Sequence, residues 1–298
     1  MRKLIAVITI ACACVALLLL VLNPGRLDRW AVRSDALGMT RHILVHLPAG
    51  YEGSSGTYPL VVLLDGGDER QHSAEVPLYS RSVAVLAGLE AEGLAPVILV
   101  GVANRNRVRD MTPVERPDIY VGGGGSLAFL RFIETELLPF VEARWRVGPT
   151  RILYGESYGG LFVIDALVRG RQAFTDYIAV SPAVGVWPDG LDAALRRRMS
   201  SGGWPANPSS GDPDRKTSLF VVYGEKDAPL VTDYVPAIAR LIESERPPTL
   251  RFSVEVLPRA GHNPPESLER GLRFVFGAPR DGRGDGGVSA PFLSAAMR

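Results

Sequence analysis

A chain of 298 residues, 46% hydrophobic and 22% charged, has the composition of an ordinary globular protein with enough apolar side chains for a large core. Its formal net charge of +1, with no clustered Lys/Arg face interleaved by aromatics, gives no electrostatic reason to expect a nucleic-acid partner. Only two cysteines occur, Cys12 and Cys14, so the chain beyond them can form no internal disulfide.

The first element in chain order is an apolar run over 4–22, preceded by Met1-Arg2-Lys3 and ended by Asn23-Pro24-Gly25. At ~1.5 Å per residue such a run nearly spans a bilayer core, and a basic stretch before an apolar one also describes a secretory signal. Both readings export the rest of the chain, leaving it periplasmic or anchored in the inner membrane and facing the periplasm. An uncleaved anchor is favoured because no small-x-small site comes after Leu22. Both cysteines lie inside the run, as small apolar filler. The expected organisation is a signal anchor or signal peptide over 1–25, a folded domain over 38–277 and a mobile Gly/Arg/Asp-rich tail over 278–298. The Arg283-Gly284-Asp285 triplet in that tail reads as a chance match.

From residue 41 onward, short β-rich runs alternate with longer helical patterns. Strands are predicted over 41–47, 60–64, 96–102, 151–154, 177–180, 219–223 and 252–256. Runs such as PLVVLLDG and APVILVGV are apolar at successive positions, as strands buried on both faces are. The alternation therefore predicts an α/β fold with a mostly parallel central sheet and helices on both faces. In SLAFLRFIETELLPFVEARW, Leu130, Ile133, Leu137 and Val141 fall on one helical face, and Pro139 is expected to kink or interrupt it. The segment 200–217, rich in Gly, Pro and Ser, predicts an excursion loop.

Directly after one predicted strand the chain reads YGESYGG, and Leu161-Phe162-Val163-Ile164 then suits a buried helix. Gly155-Glu156-Ser157-Tyr158-Gly159 fits G-x-S-x-G, the strand-turn-helix elbow that lifts a serine hydroxyl above a sheet. Glycines two before and two after the serine are expected where the two backbones approach each other. Ser-Gly clusters also make plain turns, but a strand before and a helix after favour a nucleophile.

A serine hydroxyl is a poor nucleophile without a base, and in this arrangement the partners come in the order serine, acid, histidine. His42, His46 and His72 precede Ser157, which leaves His262, in the loop after the last predicted strand. The acid belongs just after 219–223, where YGEKDAPLV offers Glu225 and Asp227. Asp227 is preferred because a Gly-x-x-Asp turn lets its carboxylate reach back to the imidazole; Glu225 is the competitor, and Asp233 lies further on. An oxyanion hole needs two N–H donors, one from Tyr158, after the serine, and the other from Gly67 in Asp65-Gly66-Gly67-Asp68. No His/Cys/carboxylate cluster has ligand spacing, so neither a metal nor an organic cofactor is expected.

LLDGG, NRNRVRDMTP, TELLPFVEARWRV, GESYGG, SPAVGVW and GHNPPESLERGLRFVFG together resemble the esterase family of α/β-hydrolases. That family contains trilactone siderophore esterases, relatives of S-formylglutathione hydrolase and mycolyltransferases. The likeness is closest to the enterobactin-esterase type and covers roughly 41–277. It implies an α/β-hydrolase fold, Ser157 as nucleophile, His262 as base and a small-molecule ester as substrate, a trilactone siderophore among the candidates. It also singles out Arg107, Arg109 and Asp110. Those guanidinium groups could bind catecholate or carboxylate oxygens of a substrate, or Arg109 and Asp110 could form an ion pair that shapes their loop. Trp187 is a candidate wall of an acyl or aryl pocket, although SPAVGVW departs from the family's SPS-L-W-W run. Some siderophore esterases manage with a Ser-His pair, which bears on Asp227. The resulting expectation is a serine carboxylic ester hydrolase working through an acyl-enzyme. The alternatives are an acyltransferase, in which an alcohol replaces water at that intermediate, and a catalytically silent binding module.

Overall fold

The apolar runs of the sequence become the middle of one eight-stranded sheet in a computed structural model that describes residues 25–67, 75–169, 173–204, 215–245 and 247–277. The strands are β1 (Arg26–Ser34), β2 (Met39–Leu47), β3 (Tyr58–Leu64), β4 (Ile98–Val102), β5 (Val147–Glu156), β6 (Asp176–Val180), β7 (Thr217–Gly224) and β8 (Leu250–Leu257). Their order across the sheet is β1-β2-β4-β3-β5-β6-β7-β8. The β1–β2 and β2–β4 pairings are antiparallel and all the others parallel.

Successive residues of the central strands feed opposite cores. Leu60, Val62 and Leu64 of β3 pack with Phe129, Phe162 and Leu195, carried by helices α3 (Ser126–Phe132), α5 (Tyr158–Arg169) and α6 (Pro188–Ser200). Val61 and Leu63 face the other way, toward Leu86 and Leu89 of α1 (Glu75–Ala91) and Leu268 and Leu272 of α9 (Ser267–Phe276). Two buried faces explain why these strands lack apolar/polar alternation. The remaining helices are α2 (Arg107–Met111), α4 (Leu138–Glu142), α7 (Pro229–Thr232) and α8 (Val235–Glu245).

All seven predicted strands are present, and one more precedes them. In β1, RLDRWAVRS, only Val32 and Ser34 are buried, because the strand lies at the sheet's edge, where charged side chains are tolerated and discourage further pairing. Paired with β2 from Arg26 onward, β1 carries the sheet to residues before the 38–277 stretch. The predicted interruption at Pro139 takes a definite form: a π-helical turn, Ile133–Leu137, lies between α3 and α4, and Leu138 N–H donates to Ile133 O. Proline has no N–H to offer an i−4 carbonyl, and the wider turn absorbs the mismatch.

The expected membrane partner is corrected. Among the described residues no helix is long and apolar enough to cross a membrane; even α1, at 17 residues, carries Arg81 and Glu90 within its span. The apolar run over 4–22 lies outside the described residues, as do Cys12, Cys14, Asp68, His72, most of the Gly/Pro/Ser-rich loop (205–214) and the tail over 278–298. Just before that loop segment, Trp204 is fully buried and its Nε1–H donates to Leu167 O at 2.9 Å.

Candidate active site

Strands β3, β5, β6, β7 and β8 run parallel, so the loops after them gather at one edge of the sheet, where α/β proteins build their sites. β5 ends at Glu156 and α5 begins at Tyr158, leaving Ser157 alone at the turn with φ 60°. A side chain in the left-handed region costs about 1–3 kcal/mol and persists only where neighbours over-determine it. Here Ser157 N–H donates to Val180 O at 2.9 Å, and Ser157 O accepts from the N–H groups of Leu161 at 3.0 Å and Ala183 at 3.1 Å.

The tight glycines differ partly from the expected pair. A Cβ on Gly155 would lie 2.5 Å from the backbone of Gly159, a collision that only glycine avoids. A Cβ on Gly159 would instead meet Asp65 Oδ2 and Met111 Sδ at 3.5 Å, an ordinary contact. The second constrained position is Gly160, whose Cβ would come within 2.6 Å of Val180 O.

Two loops further along the edge, His262 and Asp227 meet: Nδ1 lies 2.5 Å from Asp227 Oδ1. Asp227 has a fully buried side chain, whereas His262 is 41% exposed. Against an ionised carboxylate Nδ1 carries the proton, which leaves Nε2 a lone pair able to accept one. Glu225, the rival acid, is exposed and accepts the Arg259 N–H at 2.8 Å, bracing the histidine loop from outside. His42 is exposed on β2, and burial pushes the pKa of His46 down.

The loop after β3 also stands beside the elbow. Asp65, φ 57°, accepts a hydrogen bond from Asn104 Nδ2 and another, 2.8 Å long, from Arg107 Nε. Gly67 sits so close to the end of β4 that a Cβ would be 2.2 Å from Ala103 N, so only glycine lets the backbone run there. Arg107 Nη2 donates to Glu156 O at 2.7 Å, and its guanidinium lies 5.4 Å from the Tyr158 ring. One side chain therefore ties the Asp65-Gly66-Gly67 turn to the elbow.

Arg109 turns inward to Asp110, both Nε and Nη2 reaching Oδ1 at 3.0 and 2.9 Å, and Asp110 Oδ2 accepts from the buried Arg41. This is the loop-shaping ion pair considered from sequence. The Trp187 ring lies 5.2 Å from the guanidinium of Arg169, itself bound to Asp165, two turns along α5 from the serine. The aromatic beside Ser157 is instead Tyr158, packed edge-to-face on Tyr120 with ring centroids 5.8 Å apart.

Sequence reasoning missed three further groups. Glu156, the residue before Ser157, is buried and bonded to Arg81 and the Tyr154 hydroxyl, and burial pushes its carboxyl above the usual range. Asn104 and Ser181 both bond site carboxylates. All three stand inside the motifs GESYGG, NRNRVRDMTP and SPAVGVW, but nothing in those runs names their partners. Among the described residues no cluster of His, Cys, Asp and Glu could hold a metal ion.

Sheet order, the strained serine between β5 and α5, and a histidine–carboxylate pair on the last two strand loops define the α/β-hydrolase fold. Residues 34–260 match the family described as Putative esterase, and the chain belongs to that family. The ferri-bacillibactin esterase BesA of Bacillus subtilis is 32% identical over 163 residues, 49% of this chain and 54% of that protein. The apo-salmochelin esterase of Escherichia coli is 30% identical over 181 residues, 56% of this chain and 54% of that protein. The chain thus spans about half the length of these curated relatives. Among solved structures, an IroE-like serine hydrolase from Shewanella oneidensis superposes with a TM-score of 0.70 at 27% identity, covering 85% of this chain and 80% of that one. The siderophore hydrolase EstA of Aspergillus nidulans, 19% identical with a TM-score of 0.69 over 86% of this chain and 96% of its own, shares the fold.

Proposed function

We propose that this protein is a serine esterase that cleaves carboxylic esters through an acyl-enzyme, with ester-linked siderophores as its substrate class. The observation that carries the proposal is the His262–Asp227 hydrogen bond on the loops beside the elbow serine. Ser157 Oγ attacks the ester carbonyl while its proton passes to His262 Nε2, and Asp227, remaining ionised, stabilises the imidazolium. The carbonyl oxygen becomes an oxyanion facing the N–H groups of Tyr158 and Gly67. Tyr158 opens α5, where the first N–H groups have no partner within the helix. Collapse breaks the bond to the alcohol oxygen, which leaves with the proton from Nε2, and water repeats the sequence in reverse to free the acid.

The siderophore part of the proposal is supported by the two curated relatives, whose names describe esterases of ferri-bacillibactin and apo-salmochelin. Tyr158 and Tyr120 offer an aryl-bearing ester an aromatic wall next to the serine. Arg107 serves this chemistry by holding the Gly67 turn to the elbow, and Arg109 by shaping its own loop. An exported location belongs to the same proposal, supported by Met1-Arg2-Lys3 ahead of the apolar run; recovery of the protein from cytoplasm alone on fractionation would remove it.

The test is a panel of aryl esters, acyl chain lengths and trilactone siderophores, run on wild type and on Ser157→Ala. At least one ester is turned over, and Ser157→Ala lowers kcat on the order of 10^6-fold and abolishes fluorophosphonate labelling. Turnover retained by Ser157→Ala would place the chemistry elsewhere. The glycines supply a second check. Gly155→Ala forces the elbow open and lowers turnover at least about 100-fold, the scale of a 1 Å misplacement, whereas Gly159→Ala changes it by only a few-fold. Equal losses in the two variants would contradict this spacing of the elbow glycines.

A further inference from the structure

We propose that Ser181 is a positioning residue for the acid and the histidine, using one hydroxyl to lock the loops that carry Asp227 and His262 to each other. This rests on the reading of the protein as a serine esterase. Ser181 is the first residue after β6, it is fully buried, and its φ of 43° is left-handed. Its N–H donates to Val222 O of β7 at 2.7 Å, which fixes it against the strand that leads to Asp227. Its Oγ lies 2.5 Å from Asp227 Oδ2 and 2.9 Å from the N–H of Asn263, the residue after His262.

Chemistry sets the directions of these bonds. A hydroxyl has one proton, and a backbone N–H can only donate. Ser181 therefore accepts from Asn263 and gives its proton to Asp227. Asp227 Oδ1 accepts from Ala228 N–H at 2.7 Å as well as facing His262, so Ser181 holds the other oxygen and stops the carboxylate from rotating. Asn263 itself has φ 53°, so the hydroxyl also anchors a strained turn next to the imidazole. Buried serines often do no more than fill a corner. This one spans the loop after β7 and the loop after β8, and bonds a side chain in one and the backbone of the other.

Two substitutions in the full chain separate the hydroxyl from the backbone. Ser181→Gly removes the hydroxyl and accepts φ 43° without strain; Ser181→Ala removes it and keeps the strain. Both are expected to lower kcat by about tenfold to a hundredfold, the worth of one hydrogen bond to a charged group, with KM within about twofold of wild type. Both lose the same two buried bonds and should melt lower than wild type, Ser181→Ala more so than Ser181→Gly, because only glycine relieves the left-handed strain. In both, the far-downfield proton resonance of His262 Nδ1–H at low pH should shift or broaden. A kcat for Ser181→Gly within about twofold of wild type, with that resonance unmoved, would overturn the inference, as would a loss confined to Ser181→Ala. Ser157→Ala assayed in parallel separates the two claims: turnover retained there defeats the esterase reading, while the His262 resonance still decides the role of Ser181.

Discussion

Asp227→Asn is expected to lower kcat for ester hydrolysis on the order of 10^4-fold at neutral pH with little change in KM, the scale found when a triad carboxylate becomes an amide. The size of the loss comes from where the charge sits. Asp227 is fully buried and accepts bonds at both oxygens, from His262 and Ala228 at Oδ1 and from Ser181 at Oδ2. An amide of the same shape can occupy this place but brings no negative charge to face the imidazolium formed as Ser157 attacks. Because that charge develops only on the way to the transition state, the loss appears in kcat and not in KM. Glu225→Gln is the matched comparison. Its exposed carboxylate bonds only Arg259 N–H among the described contacts, so kcat should fall no more than a few-fold. Steady-state kinetics on both variants, with a thermal melt to confirm folding, decides between the two acids. A loss in Asp227→Asn of less than about tenfold would mean that a Ser-His pair suffices here.

These two acids mark what reading the chain can propose and where it stops. Covalent order along the chain, serine then acid then histidine, leaves His262 as the candidate base because the other three histidines come too early. The pattern along the chain also announces the mostly parallel sheet, since strands buried on both faces leave continuous apolar runs between helical segments. What sequence cannot supply is which polar side chains spend their hydrogen bonds on one another. Arg107 looks like a free cation in NRNRVRDMTP, yet it is committed to Asp65 and to the carbonyl of Glu156, 49 positions away. Ser181 has no feature in SPAVGVW that marks it as the link between two loops, because its partners lie 46 and 82 residues further on. β1 escaped notice for a different reason: an edge strand buries little, and the apolar pattern that marks the other strands is absent from it.

The largest effect on stability is expected away from the serine, at Asp110. Its carboxylate accepts from Arg41 on β2 and from Arg109, and the Arg41 and Asp110 side chains are 0% and 1% exposed. Asp110→Ala breaks a fully buried ion pair by removing one partner, a change that typically costs about 3–5 kcal/mol. For a domain of this size that corresponds to a fall in Tm of roughly 6–10 °C, measurable by calorimetry. Adding Arg41→Met to Asp110→Ala should recover part of the loss, since it replaces the remaining buried charge by an apolar side chain. If the double variant melts no higher than the single one, the pair contributes through packing instead. The same substitution also reaches the site. Asp110 fastens α2 to the sheet, and α2 carries Arg107, which joins the Gly67 turn to the elbow. Asp110→Ala should therefore lower kcat even well below its own melting temperature, whereas Arg196→Ala, which breaks an exposed pair with Asp192, should change neither Tm nor kcat measurably.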